Sequence, residues 1–287
     1  MTTSTSHSTP ETNETHTEHR DPAAVLAASS FSAGIALLPK RLQKDARQLY
    51  HLLRTIDDLV DENDPQAAAR VDAIECWANG EKSETPEIII LSELSSRYPL
   101  SREAFSDFCE GMRHDLAGTA IATEPDLERY CHQVGGTVGI MLTGLLGVSH
   151  PDAGWMMDKL GTAMQRTNIL RDIDEDHANG RLYIAATTIE RFGAPTPGAR
   201  EALLRDQIAR ADVLYEEGLG AIPLLEHGQR AMALATVLYR EILRQIERGG
   251  FGRTSGRTSV PSWRKRELIG ELQLRATQVF ARSAGTR

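Results

Sequence analysis

Residues 42–60 read LQKDARQLYHLLRTIDDLV, and the apolar positions Leu42, Ala46, Leu49, Leu53, Ile56 and Val60 recur every three or four residues. That is the period of one face of an α-helix. The same spacing extends outward from Pro22 along the rest of the chain, while sustained period-2 alternation is hard to find, so the body reads as all-α. Turn-forming residues interrupt it at Asn63-Asp64-Pro65, Asn79-Gly80, Tyr98-Pro99, Glu124-Pro125, His150-Pro151, Asn179-Gly180, 193–198 and 249–261. These breaks leave helices of about 10–25 residues joined by loops of ordinary length. No shift in composition marks a second domain, and residues 22–287 are expected to form one helical domain. The apolar run Ile88-Ile89-Ile90-Leu91 suits a buried helical turn better than a strand, because Glu87 and Ser92-Glu93-Leu94 flank it. Residues 134–148, VGGTVGIMLTGLLGV, are uncharged but fall short of the roughly 18–20 residues a membrane span needs. Gly135, Gly136, Gly139, Gly144 and Gly147 point instead to a buried helix approached closely by another helix or by a hydrocarbon chain.

Composition narrows the function. The 287 residues are 40% hydrophobic, 25% charged and 5% aromatic, as suits a globular chain in water. With 40 acidic against 32 basic side chains, the net charge of −8 lacks the basic footprint of a nucleic-acid binder. Three cysteines, Cys76, Cys109 and Cys131, form no Cys-x-x-Cys pair and indicate a reducing compartment, so a cytoplasmic location is expected. Residues 1–21 are rich in Ser, Thr, His and Glu, lack the apolar core of a secretory leader, and read as a disordered polar tail.

Two acidic segments concentrate the chemistry. In Arg54-Thr55-Ile56-Asp57-Asp58-Leu59-Val60-Asp61-Glu62, Arg54, Asp57 and Asp61 share one helix face. In residues 165–176, QRTNILRDIDED, the side chains of Gln165, Asn168, Asp172 and Asp176 lie within about 80° of one another. A solvated acidic surface is the plain reading of either stripe alone. Like charges one turn apart destabilise a helix, however, and here they stand beside bulky apolar residues, so a cation is expected between them. Hard oxygen ligands without thiolate or imidazole suit Mg²⁺, or Mn²⁺ in its place, completed by water and phosphate. The inferred site has the two stripes facing each other across the mouth of an apolar cavity, holding a diphosphate that departs and leaves a carbocation shielded from water. With few aromatics, Phe31, Tyr50, Tyr130, Tyr183 and Tyr239 carry whatever cation–π stabilisation is available.

Several ordered motifs resemble the squalene/phytoene synthases. They are Ser30-Phe31-Ser32 with Leu38-Pro39, Tyr50 to Asp61, Gly111-Met112-Arg113-His114-Asp115-Leu116, Tyr130 to Gly139, Gln165 to Asp176 followed by Gly180-Arg181-Leu182-Tyr183, and Leu238 to Ile246. The resemblance, running from about Ser29 to Lys265, implies an isoprenoid-synthase-type helical bundle around a central apolar cavity. It implies Mg²⁺ ligation by Asp57, Asp61, Asp172 and Asp176 with Gln165 and Asn168 in support. Diphosphate contacts would come from Arg54, Arg171, Arg181, Ser30 and Tyr239, and the cavity would be lined by Tyr130 and Tyr183. The implied activity is a prenyltransferase of isoprenoid and carotenoid biosynthesis. Two C15 or C20 prenyl diphosphates would join head to head through a cyclopropylcarbinyl diphosphate.

The chain departs from the family pattern at Ala28-Ser29, at Leu53 and at Tyr183-Ile184-Ala185, changes that bear on the second-substrate site rather than the metal site. A single-substrate prenyl diphosphate cyclase is therefore a further reading, as is a squalene, dehydrosqualene or presqualene diphosphate synthase. Without a Gly-x-Gly-x-x-Gly or Gly-Lys-Ser/Thr element, NADPH is not supported, although relatives that use it lack a Rossmann site too. Phytoene-type chemistry is favoured. No Glu-x-x-His pair accompanies His51, His114, His132 or His177, which disfavours a di-iron bundle. The basic cluster Arg253, Arg257, Arg264, Lys265 and Arg266 reads as a solvated loop or a contact to anionic lipid at a membrane periphery, with Arg257 a candidate for diphosphate. Ala33, Ile35 and Met141 are candidates for the cavity floor.

Overall fold

The computed structural model describes residues 34–82 and 84–284. The expected tail and Ser30, Phe31 and Ala33 lie outside them. The helices are α1 (Lys40–Asp61), α2 (Ala67–Ala78), α3 (Pro86–Ser95), α4 (Arg102–Leu116), α5 (Glu124–Cys131), α6 (Thr137–Leu146), α7 (Ala153–Ala178), α8 (Ala186–Phe192), α9 (Glu201–Gly218), α10 (Gln229–Arg248) and α11 (Ser262–Ala284). No strand occurs among the described residues, only one isolated bridge between Val148 and Leu225.

Local chemistry starts several of these helices. Thr85 and Ser101 accept the backbone N–H three residues on, and Pro86 occupies the first position of α3. Thr123 and Asp126 form a reciprocal capping box at α5. The stripe expected in α1 is buried at Leu42, Ala46, Leu49, Leu53, Ile56 and Val60. One apolar cluster joins α1 to α2, α3 and α4 through residues such as Ile56, Trp77, Leu91 and Phe105. Another surrounds the central helix α7 with α9 and α10, through Leu160, Ile169, Tyr215 and Leu243.

Packing adds features that helical periodicity does not announce. Between α5 and α6 the chain makes one π-helical turn, His132–Gly136. There it presses on α7 so closely that a Cβ on Gly135 would lie 2.7 Å from the Gly161 carbonyl oxygen, and one on Gly139 would lie 2.1 Å from that of Met157. The glycines of this segment thus accommodate a neighbouring helix. Residues 199–248, uninterrupted in the sequence reading, are divided by a 3₁₀ turn at Leu219–Leu224 containing Pro223 and by Gly228 at φ 79°. Among the described residues, a small apolar recess of about 20 Å³ lies between Ile35, Leu38, Ala46, Leu142, Leu146 and Met232, none of them a residue of the acidic stripes. Ile35 reaches it, whereas Met141 is buried in the cluster around α4. No helix among the described residues is long and apolar enough to cross a membrane.

Candidate active site

The two stripes meet because α1 and α7 deliver their C-terminal ends to the same place. Asp57 and Asp61 occupy the last two turns of α1, Asp172 and Asp176 the last two of α7, and Asp115 the penultimate position of α4. A helix C-terminus carries partial negative charge, so each of these carboxylates adds to a field already unfavourable to it. The result is a mouth that demands cations.

Arginines supply them in the protein as it stands. Arg54 bridges Asp57 at 2.7 Å and Asp58 at 2.6 Å. Arg181, in the loop after α7, pairs with Asp61 and donates to the terminal carbonyls of Val60 and Asp61 at 3.2 and 3.1 Å. That contact fastens the end of one stripe to the chain leaving the other. Arg171 Nε lies 2.8 Å from Asp172, and Arg257 Nε reaches the same carboxylate at 3.0 Å. Arg171 in turn hydrogen-bonds Tyr239, which lies close to Tyr50 and Arg54.

The carboxyls are not fully relieved by these partners. Burial, with Asp61 and Asp58 adding to it and Arg54 opposing, pushes Asp57 up to about 7. Its side chain nevertheless keeps 39% exposure, as befits a concave mouth open to a small ion but poor in bulk water. Burial likewise raises Asp176 to about 7, reinforced by Asp172, Asp61 and Glu175. Asp115 rises to about 6 through burial, tempered by hydrogen bonds from Tyr183 at 2.9 Å and Tyr130 at 3.0 Å. The two phenol rings stack at 5.1 Å with a 14° tilt. Burial also lifts both phenols above their ordinary range, so they remain protonated donors.

Among the described residues, no three His, Cys, Asp or Glu side chains are grouped closely enough to hold a metal as they stand. The donor set nonetheless fits a hard divalent cation. It consists of carboxylates and carboxamides, and Asn168 Oδ1 is buried without a hydrogen-bond partner among the described residues, its Nδ2 donating to Gln165 Oε1 at 3.2 Å. Asn168 stands one turn before Asp172 on the same face of the helix, so its carboxamide oxygen can join the carboxylates as a neutral donor.

The structure therefore gathers Arg54, Asp57, Asp61, Tyr130, Arg171, Asp172, Asp176, Arg181, Tyr183 and Tyr239 around one mouth, while Gln165 and Asn168 bond each other on the face of α7 that carries Asp172 and Asp176, and Ser30 lies outside the described residues. Asp115 joins them, though the sequence offered it only as a letter of the 111–116 motif, without a role. The basic C-terminal cluster is corrected in part. Arg257 pairs with Asp172 while its side chain stays 54% exposed, as a solvated loop and a diphosphate candidate would have it, whereas Arg264 is withdrawn from solvent by Glu241 and Glu267.

Comparison with known proteins agrees with this geometry. The squalene/phytoene synthase family model matches residues 26–264. The chain is 33% identical to a phytoene synthase of Thermus thermophilus over 264 residues, covering 87% of this chain and 89% of the relative. Identity is also 33% to a 15-cis-phytoene synthase of Synechococcus elongatus, covering 87% and 90%. A crystal structure of a dehydrosqualene synthase in complex with ligand superimposes with a TM-score of 0.79 at 30% identity, over 90% of this chain and 95% of that one.

Proposed function

The chain belongs to the squalene/phytoene synthase family, and from that premise we propose that it joins two geranylgeranyl diphosphates head to head to give phytoene. The observation that carries the reading is the convergence of the α1 and α7 aspartates, with Asn168, on one mouth beside the stacked Tyr130–Tyr183 pair.

In this reading Asp57, Asp61, Asp172 and Asp176, supported by Asn168 and Gln165, hold Mg²⁺ or Mn²⁺. When bound, the metal offsets the charge that develops on the departing diphosphate. Arg54, Arg171, Arg181 and Arg257 already stand at those carboxylates and offer guanidinium forks to the diphosphate oxygens. Ionisation of one substrate is followed by attack of the second molecule's double bond. The tertiary cation so formed closes to a cyclopropylcarbinyl diphosphate by losing a proton; this intermediate releases its own diphosphate, rearranges and loses a second proton. Tyr130 and Tyr183, kept as neutral phenols on Asp115, present ring faces to the cations without acting as nucleophiles. A C40 hydrocarbon is insoluble in water, which supports work at a membrane periphery. Trp263, 60% exposed and close in sequence to Lys265 and Arg266, is a suitable contact.

Product analysis by mass spectrometry tests the reading, with farnesyl and geranylgeranyl diphosphate supplied separately, with and without NADPH. A C40 triene made with Mg²⁺ alone is expected. A C30 product, a demand for NADPH or a cyclic hydrocarbon from a single substrate would replace the reading with one of its alternatives.

A further inference from the structure

The loop between α10 and α11, residues 249–261, lies across α7 and is fastened there by a side chain outside the mouth. Arg200, the residue before α9, is 2% exposed, and its guanidinium forks onto Asp174 with Nη1–Oδ1 at 2.5 Å and Nη2–Oδ2 at 2.7 Å. Its Nε donates to the Gly252 carbonyl at 3.2 Å, and its Nη1 also donates to that of Pro195 at 3.3 Å. Asp174 Oδ2 accepts the Gly256 N–H at 2.8 Å, so the two halves of one buried ion pair grip the loop at two points. The fit is close. Gly252 has φ +68°, and a Cβ there would fall 2.2 Å from Arg200 Nε.

Asp174 faces away from the metal stripe, since nine residues after Gln165 is half a turn out of phase. The loop that it grips nevertheless carries Arg257 back over the rim, to 3.0 Å from Asp172 and 3.6 Å from Glu175. Burying two charges is costly, and the return here is a backbone fixed at Gly252 and at Gly256, the residue immediately before Arg257.

We infer that Arg200 and Asp174 are positioning residues that hold the 249–261 loop so that Arg257 stands ready at the diphosphate side of the mouth. The inference rests on the function proposed above. A guanidinium whose backbone is pinned exchanges Asp172 for a diphosphate oxygen by side-chain rotation alone, so little ordering is left for substrate to impose. The pair therefore acts on substrate binding, through Arg257, rather than on the ionisation step.

The full-length chain carrying Asp174→Asn, Arg257→Gln or both is compared with wild type in two ways. One is steady-state kinetics with geranylgeranyl diphosphate and Mg²⁺; the other is the melting-temperature shift produced by Mg²⁺ with inorganic pyrophosphate, which needs no turnover. Each single variant is expected to raise KM on the order of tenfold, as loss of one charge-assisted contact implies, with kcat changed less than about twofold. The double variant should be no worse than Arg257→Gln, because both substitutions remove the same contact. The pyrophosphate shift should shrink equally in all three. Multiplied effects in the double variant, or wild-type KM and wild-type shift in Asp174→Asn, overturn the inference. Should Asp174→Asn fail to fold, Gly252→Ala, whose Cβ would push the loop off the Arg200 guanidinium without removing either charge, has to give the same non-additive rise. If wild type turns over no prenyl diphosphate, the proposed function fails. The positioning role is then judged on the pyrophosphate shift, and it falls if Arg257→Gln leaves that shift unchanged.

Discussion

Helix α7 carries two polar clusters that meet opposite fates. On one face Arg166, buried, donates to Gln207 Oε1 at 3.0 Å and to Glu124 at 3.3 Å, while Gln207 and Thr188 donate to the other Glu124 oxygen. Glu124 is also the first residue of α5, where the positive end of the helix dipole favours an anion. A few residues on, Asp172 and Asp176 stand at the negative end of their own helix, opposite Asp57 and Asp61 at the negative end of another. The first cluster pairs its charges within itself and leaves only Arg166 Nε without a hydrogen-bond partner among the described residues. The second is left with carboxyls raised to about 7, an unpartnered carboxamide oxygen and arginines that an anion can draw away. A buried polar group that the fold satisfies is architecture; one that the fold leaves short of charge is awaiting a ligand.

The largest expected effect follows from emptying the unsatisfied cluster. Asp57→Asn and Asp172→Asn should each lower Mg²⁺-dependent diphosphate release by about a thousandfold. Asp57→Asn should at the same time melt higher than wild type in the absence of metal. Full turnover in both variants would erase the distinction between the clusters. The satisfied cluster should respond in the opposite currency. Arg166→Met, which removes the buried cation beside Glu124 and leaves it Gln207, Thr188 and Arg210 at 3.8 Å, should cost up to about 3 kcal/mol in denaturant unfolding while the folded variant keeps its melting shift with Mg²⁺ and pyrophosphate. In wild type that shift should correspond to about 2.7 kcal/mol at ligand a hundredfold above Kd, and Asp57→Asn should lose most of it.

The smallest effect is a pH trend that sharpens the same contrast. Asp57 and Asp176 titrate near 7 when folded against 3.8 when free, so the native state binds more protons between those limits. Stability from their protonated forms is complete below about pH 4 and is lost as pH rises through 7. The metal-free protein should therefore melt higher at pH 5 than at pH 8, in a scan that Asp57→Asn and Asp176→Asn each flatten. An unaltered slope in both would assign the trend to other groups.

Much of this was legible without coordinates. The 42–60 periodicity announced α1, and the spacing of Asp57 with Asp61 and of Gln165, Asn168, Asp172 and Asp176 put each set on one face, because helical phase depends only on residue number. Asp115 was not legible as a site residue. A single aspartate near a helix end has no spacing partner, and its meaning comes from two tyrosines on other elements, 15 and 68 residues away. The π turn at His132–Gly136 escaped for a related reason, since glycine there is equally compatible with a straight helix, and the contact with Gly161 is tertiary. Arg257 was already a diphosphate candidate in the sequence, but what holds its loop was not legible, because the Arg200–Asp174 pair is joined across 26 positions.

By itself the sequence determined most of the helices, the acidic stripes and the hard-oxygen character of the candidate donors, since these follow from local period and side-chain chemistry. Only the tertiary structure decided that the C-terminal ends of α1, α4 and α7 converge, and which carboxylates the protein satisfies and which it leaves in need of a cation. That decision depends on how helices reverse and pack across long separations. Burial and the summed field of neighbouring charges exist only once the chain has closed.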